Sequence, residues 1–450
     1  MPGFHALKAS GNTLIIFPYL GIIIFILYYW KREIALTKFQ ELHTNIKIRL
    51  ITDFSMEFVL MAILPFMAVY FSSHLGAGTA GLLLAFTMAA GIGIGLWTGH
   101  LSDVIGRKRI IVTAQGLQVL SLGVMALASS PLFESVWVTF AAFLIANACF
   151  NAADPPSEAM IIDYSSEAER PYVYQLAYWL GNVAYAFGAV IGGLFFESGR
   201  FYLFVALFLV SICIWYIVAF KLKEKQQTAS FSRNASRQVQ VPLTIWKRYT
   251  SVMKDRRFLF FLIGTVCIAS LEFQLDKYVA VRLDEQFHMM LGGFELTGVR
   301  MFSLIMFINT LGVVFFTMPV SARVSSLDYK KVLAAGLGIY TLAFGFFGFS
   351  TSFLVLLLAA AAFTLGEIIY IPVRQTILAG IVHDDSRGSY MAMESMMYNT
   401  ALLLSSFMLT ASAVIPAAGM STLFILLGAV GFISYRLCLP LKKSEKAYAS

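Results

Sequence analysis

The sequence predicts an all-α membrane protein built as two bundles of six helices, and three observations predict it. The first is composition. Of 450 residues, 59% are hydrophobic and only 13% charged, with a mean hydropathy of +0.76. A soluble domain is about half apolar and a quarter charged, so the excess apolar surface needs lipid as its solvent. The second is pattern. The apolar runs are long and continuous rather than alternating, which selects helices over a β-barrel. The third is charge placement. The segments 31–49, 98–110, 158–171, 221–258, 322–331, 374–388 and 436–450 hold 28 of the 33 Lys and Arg residues. The opposite side keeps only Lys8, Arg200, Lys277, Arg282 and Arg300. Basic residues concentrate on the cytoplasmic side of a membrane protein, so this asymmetry orients the chain and places its C-terminus in the cytoplasm.

A helix crosses the hydrocarbon core in about 20 residues. Runs of that kind occur at 13–30, 50–72, 77–98, 110–129, 135–157, 172–196, 201–221, 258–280, 298–319, 332–350, 353–373, 388–411 and 418–438. They group as one, six and six. The first, Thr13 to Trp30, has no small-residue cleavage site and is followed by Lys31-Arg32. It reads as an extra N-terminal transmembrane helix or, equally, as a stretch ahead of the true translation start. The expected organisation is an N-terminal extension (1–45), a six-helix bundle (46–221), a cytoplasmic linker (222–257), a second six-helix bundle (258–440) and a cytoplasmic tail (441–450). The linker is charged and rich in Ser and Gln, and Trp246 to Arg257 suits a helix lying at the membrane surface. The halves echo each other: Gly106-Arg107-Lys108-Arg109 against Asp328-Tyr329-Lys330-Lys331, and Arg170 with Tyr172 against Arg387 with Tyr390. Repeats of this kind are expected of transporters whose site lies between them at the bilayer midplane.

Several chemistries are excluded by what is missing. There is no Gly-rich phosphate loop ending in Lys-Ser or Lys-Thr, so ATP is not the direct energy source. His5, His43, His74, His100, His288 and His383 show no metal spacing, and Cys149, Cys213, Cys267 and Cys438 read as packing residues in apolar runs. No metal and no cofactor is expected, and an ion gradient remains as the driving force. The net charge of +8 sits on the loops and suits anionic lipid headgroups, not nucleic acid.

The strongest local signal is Gly99-His100-Leu101-Ser102-Asp103-Val104-Ile105-Gly106-Arg107-Lys108-Arg109, between two apolar helices. Asp103 and Arg107 are four apart and pair if the turn is helical. This pattern resembles the loop between the second and third helices of the major facilitator superfamily, where it is a conformational latch. The resemblance runs on through Ser73-His74-Leu75-Gly76, Ala159-Met160-Ile161-Ile162-Asp163 with Glu169-Arg170, and Phe294-Glu295-Leu296 with Arg300. It continues through Thr364-Leu365-Gly366-Glu367-Ile368-Ile369-Tyr370 with Pro372, and Gly388-Ser389-Tyr390. Together these are similar to the proton-coupled drug antiporters of that superfamily, most of all to the lactococcal-type multidrug transporter. Gly181-Asn182 with Gly188, Gly192 and Gly193 resembles the antiporter motif of exporters, although Ala189 stands where that motif has proline. Helix packing through glycines accounts for the same residues.

Buried acids carry the expected chemistry. An ionised acid in a membrane helix costs about 2.5–3.5 kcal/mol on insertion scales, so each is a functional candidate. The set is Asp53, Glu57, Asp154, Glu158, Glu272, Asp276, Glu367 and Glu394. Asp53/Glu57, Asp154/Glu158 and Glu272/Asp276 are each four apart, which places each pair on one helix face. Two carboxylates on one face can hold a proton between them. The resemblance implies proton coupling through Glu367 and Asp276, with Arg300 as a partner and Asp163 near the cytoplasmic end, where a structural pair with Arg107 or Arg170 competes with that role. Glu367, Asp154, Glu158, Glu57 and Asp53 would hold a cationic substrate, and Tyr178, Trp179, Tyr185 and Tyr370 could stack on it. Asp154 and Glu158 depart from the lactococcal pattern, and no acid lies between Ser421 and Tyr435, where that pattern has one.

The expected function is secondary active export of amphiphilic cationic compounds in exchange for protons, by alternating access, from a monomer in a bacterial plasma membrane. A lipid, a peptide-like metabolite or a siderophore is the alternative cargo. An enzyme is not expected, because no His/Asp/Glu cluster falls in a membrane-facing loop.

Overall fold

A computed structural model describes residues 39–166, 169–224, 254–324, 327–382 and 387–439. The expected helix at 13–30, most of the linker and the 441–450 tail lie outside the described residues. Ten helical stretches among the described residues are long and apolar enough to cross a membrane. The first crossing is α1 (Thr44–Met61) followed by α2 (Leu64–Leu75), whose first turn holds Pro65. Next come α3 (Ala77–Ile105), α4 (Arg107–Leu127), α5 (Val136–Tyr164) and α6 (Arg170–Lys221). One of the ten stretches is Tyr172–Lys221, 50 residues long. At 1.5 Å per residue it would span about 75 Å, more than twice the hydrocarbon core. Non-helical backbone at Gly199 (φ −150, ψ 35) divides it into the two crossings expected at 172–196 and 201–221.

The second half runs through α7 (Arg256–Glu272), a wide turn at Leu275–Val279, α8 (Ala280–Gln286), α9 (Gly298–Val324), α10 (Tyr329–Phe349), α11 (Phe353–Ile381), α12 (Arg387–Ala411) and α13 (Ala417–Cys438). Helix α12 is not among the ten apolar stretches, yet its 25 residues suffice to cross and it packs on α3 and α7. Counting it and both parts of α6, twelve crossings are described, as the sequence predicts. Aspartates cap two of these helices: Asp255 Oδ1 accepts from the Arg257 and Phe258 amides (2.9 and 3.2 Å), and Asp328 Oδ1 from the Lys330 amide (2.9 Å).

Four details differ from the sequence reading. Gly99 to Ile105 is helical, and α3 meets α4 at Gly106 alone, whose φ of +100° is open to glycine. Helix α1 begins six residues earlier than the expected 50, and α11 ends eight later than the expected 373. Arg49 and Arg374, counted with the basic loops, therefore stand inside helices and are 1% and 8% exposed. Lys277 and Arg282, placed on the opposite surface, are buried as well. Two small hairpins, Ser129–Ser130 with Phe133–Glu134 and His288–Leu291 with Phe294–Thr297, occupy expected loops. The second turns on Gly292 and Gly293, both with positive φ, as a two-residue hairpin turn requires.

Large apolar side chains are found both in the core and on the outside. Phe66, Phe302, Phe344 and Tyr435 are fully buried, while Leu120, Phe220, Leu358 and Leu426 are more than half exposed. That second set has lipid as its natural solvent. Helices α3 and α5 pack together, as do α4 and α5, and α1 and α6; in the second half the main pairs are α10 with α11 and α13, and α7 with α13. The halves meet where α12 lies on α3, α9 on α6, and α8 on α2.

Candidate functional site

The seam between the halves is closed at the end away from the basic loops. There α3 approaches α12 at Gly81, where a β-carbon would stand 2.6 Å from the Ser406 carbonyl oxygen. Helix α6 approaches α9 at Gly193, where a β-carbon would stand 2.6 Å from that of Ser303. The Thr297 hydroxyl donates to Glu197 across the same seam (2.7 Å). At the other end the same four helices expose large side chains: Leu96 (72%), Trp97 (64%), Tyr178 (68%), Phe316 (59%) and Met396 (50%). The halves are thus in close contact at the end away from the basic loops.

There are two acidic clusters, one in each half. In the first half, α1, α4, α5 and α6 surround a cavity of about 140 Å³. Asp53 and Glu57 face it from α1, Asp154 and Glu158 from α5, and Gln115 and Gln118 from α4. Arg49 pairs with Asp53 one turn along α1. Pro155 and Pro156 lie within α5 and give no amide hydrogen to the Asn151 and Ala152 carbonyls, so the helix is locally loosened beside its two acids. Gly181 brings α6 against Glu57: a β-carbon there would lie 2.8 Å from its carboxylate. The sequence placed Asp53, Glu57, Asp154 and Glu158 on two helix faces, and the structure brings the four to one cavity. Arg49 and Gln115 were not singled out. The Arg49–Asp53–Glu57 spacing of four and four was the available signal.

In the second half the acids are Glu272 and Asp276 around the α7 break, and Glu367 on α11. The Val279 amide donates to the Gln274 carbonyl five residues back (2.9 Å), which makes the break a π-turn. Such turns often mark functional positions. The turn interrupts the i, i+4 face expected for Glu272 and Asp276, because it adds a residue to the helical repeat. Glu272 still lies within electrostatic reach of Asp276 and Glu367. The Asn309 amide on α9 donates to Glu367 (2.7 Å). Lys277 reaches both oxygens of Asp276 at 3.3 Å. Tyr185, on α6 of the other half, lies within electrostatic reach of Asp276, Glu272 and Glu367. Tyr370 is 4% exposed and packs edge-on against Tyr340 (5.3 Å).

Beside this cluster Arg374 pairs with Glu394 of α12, donates to Tyr435 (3.1 Å), and lies over the rings of Phe261 and Tyr398 (5.2 and 5.3 Å). Arg282 donates to the Ser350 carbonyl (2.9 Å) and to that of Phe349, where α10 ends.

The other expected site residues lie elsewhere. Arg107 pairs with Asp163 and donates to the Ala159 carbonyl (2.6 Å), tying α4 to α5 at the basic-loop end, one residue beyond Glu158 of the first cluster. Gly99 faces Pro155, and Lys108 and Arg109 open the first turn of α4, in the segment that also holds Asp103. Arg300 donates to the Glu295 carbonyl (2.6 Å) beside the second hairpin. Tyr178, with its neighbour Trp179, is near the basic-loop end of α6, and its carbonyl accepts from Asn182 (2.8 Å). Gly188 and Gly192 sit against α1 and α2, at Met61 and Phe66, so the antiporter-like stripe is also a packing stripe.

A model of the Major Facilitator Superfamily matches residues 50–301 and 283–449. The chain belongs to that superfamily. This facilitator is 28% identical over 407 residues to a Na(+), Li(+), K(+)/H(+) antiporter of Planococcus maritimus, covering 88% of the chain and 95% of the relative. It is 24% identical over 336 residues to the multidrug resistance protein MdtH of Yersinia pestis, covering 73% and 77%. Among solved structures it resembles a POT family transporter in complex with 5-aminolevulinic acid, with TM-score 0.62, 13% identity, and 89% and 98% coverage. That last likeness concerns the fold alone. The facilitator is a multi-pass membrane protein whose relatives are transporters.

Proposed function

We propose that this facilitator is a secondary active antiporter of a bacterial plasma membrane, expelling cations in exchange for protons. The observation that carries the reading is Glu367 deep in the second half, held by the Asn309 amide (2.7 Å), with Glu272 of a separate helix within electrostatic reach. Carboxylates in the interior of a membrane protein are costly unless they bind something, and a proton and a cation compete for the same oxygens. The basic loops face the cytoplasm in this reading, so the end where the halves are in close contact faces outward. Rocking of the halves about the seam carries the acids between the two sides. Each charge crossing 100 mV is worth about 2.3 kcal/mol, so the proton gradient drives export without ATP or a cofactor. The monomer is the working unit, and the basic loops rest on anionic lipid.

The favoured cargo is an amphiphilic organic cation, because the tyrosines Tyr185, Tyr370 and Tyr398 lie within electrostatic reach of the second-half acids. An alkali ion is the second reading, supported by the name of the Planococcus maritimus relative and the near-complete length of the match. A lipid, peptide-like or siderophore cargo leaves the paired acids without a task.

The test is proton release from acidified everted vesicles, followed by acridine orange, on adding ethidium, tetraphenylphosphonium, Na⁺, Li⁺ or K⁺. Recovery of fluorescence with either class, abolished by Glu367→Gln at equal expression, supports cation/proton exchange and selects the cargo. No recovery above empty vesicles with any of the five rejects it.

A further inference from the structure

Among the described residues four cationic side chains are buried: Arg49, Lys277, Arg282 and Arg374. The three arginines are fixed charges, because a guanidinium keeps its proton. Arg49 and Arg374 each pair with an acid, and Arg282 closes the end of α10. Lys277 is chemically different. An ammonium can give up its proton and stay in place as a neutral amine. The antiport reading gives it no task.

Lys277 is also loosely held. It is 3% exposed, and its Nζ reaches the two Asp276 oxygens at 3.3 Å and the Phe273 carbonyl at 3.5 Å, with the Phe273 ring centre 5.6 Å away. Bonds from an ammonium to a carboxylate usually measure about 2.7–2.9 Å, so all three contacts are long. Asp276 shares the π-turn and keeps 18% of its side chain accessible, so a cation can reach the carboxylate although the ammonium is covered. Glu272 and Tyr185 lie within electrostatic reach of Asp276. The turn packs on α2 and α12. On α2 the ionisable groups are Tyr70, under Arg200, and His74, whose Nδ1 is bonded to the Tyr70 carbonyl. On α12, Tyr390 faces Asp255, while Glu394 and Tyr398 face Arg374. Asp276 is the carboxylate that Lys277 faces.

We propose that Lys277 is a proton-carrying group of the exchange. While it holds its proton, the ammonium is the counter-ion of Asp276. When a monovalent cargo cation takes that place, the proton passes from Nζ to an Asp276 oxygen and on to water, and a neutral amine is left behind. One proton leaves for each cation bound, so the net charge around Asp276 is unchanged. A proton arriving from outside reverses the step: it restores the ammonium, and the cation is expelled. The inference rests on the antiport reading and adds to it a carrier that is a base rather than an acid.

The experiment uses Lys277→Arg, which keeps the charge but cannot release a proton, and Lys277→Gln, which has no proton to release. A lysine that only pairs with Asp276 is replaced by arginine without loss of exchange; a lysine that must surrender its proton is not. In the vesicle assay with tetraphenylphosphonium and Na⁺, Lys277→Arg should lower exchange about tenfold or more at wild-type expression and melting temperature. The second measurement is proton release into weakly buffered solution when either cation is added to the full-length protein in nanodiscs. Lys277→Gln should release about one proton fewer per cation bound than wild type. Wild-type exchange in Lys277→Arg, or undiminished proton release in Lys277→Gln, overturns the role of Lys277 and leaves the antiport reading standing. The antiport reading itself fails separately, if the wild type exchanges none of the five cations.

Discussion

Arg49 and Asp53 are partners one helical turn apart on α1, and Arg49 is almost wholly buried while Asp53 opens to the first-half cavity. The arrangement makes the arginine a fixed charge and the aspartate an adjustable one. Breaking a buried pair from one side leaves an uncompensated charge, whereas removing both is milder. Arg49→Gln should destabilise the protein in detergent by about 1–3 kcal/mol, because the Asp53 side chain left behind is 36% exposed, and Arg49→Gln/Asp53→Asn by clearly less. Melting curves of the two singles and the double, read as a cycle, check this; equal losses in Arg49→Gln and the double would show that the pair is not coupled.

Arg374 and Glu394 hold α11 to α12 in the same manner, with Tyr435 and Thr265 as further partners at 3.1 and 3.5 Å. Glu394→Ala should cost about 3–5 kcal/mol, and Arg374→Met/Glu394→Leu less, because the double variant buries no charge. The check is thermal unfolding in one detergent. A double variant less stable than Glu394→Ala would mean that the ring contacts of Arg374 outweigh its charge.

The seam makes a conformational prediction. Ser303 cannot move freely from Gly193, since its hydroxyl donates to the Val299 carbonyl (3.0 Å). Gly193→Val should force α6 from α9 and shift the population toward an outer end that is open. Spin labels at Glu197 and Thr297 should report a longer distance than in the unsubstituted background. An unchanged distance with normal transport would show that the seam accommodates the added volume.

Arg282 satisfies carbonyls at the C-terminal end of α10, where a helix leaves acceptors without partners. Arg282→Ala should lose about 1–3 kcal/mol from these stranded groups, and Arg282→Lys should recover part of it because one ammonium replaces a two-pronged donor. Thermal unfolding of both variants decides it, and a lysine variant no better than alanine would contradict the capping role.

Much of the fold was legible because lipid imposes a simple rule: long apolar runs must be helices. The runs at 77–98, 110–129 and 418–438 correspond to α3, α4 and α13 within a few residues at most ends. Polar residues inside helices defeated the same rule. Arg49 and Arg374 ended apolar runs on paper, yet each is neutralised by an acid four residues on or on the next helix, so the helix continues through it. The π-turn at Leu275–Val279 left no signal, since Leu-Asp-Lys-Tyr-Val reads as ordinary helix and the contact beside it, Gln274 donating to the Ser405 carbonyl of α12 (3.3 Å), is tertiary.

The sequence by itself determined the solvent of this protein, the six crossings of each half, that the basic loops share one side, and which residues are acids in apolar surroundings. Those properties follow from local hydropathy and charge, which add along the chain. Only the tertiary structure decided that four of those acids share one cavity and three others stand in a second cluster. It also decided that Arg49 and Arg374 are buried counter-ions, and that the halves close at one end. These depend on which helix faces meet, and a side chain's partner across a bundle is set by packing rather than by its neighbours in sequence.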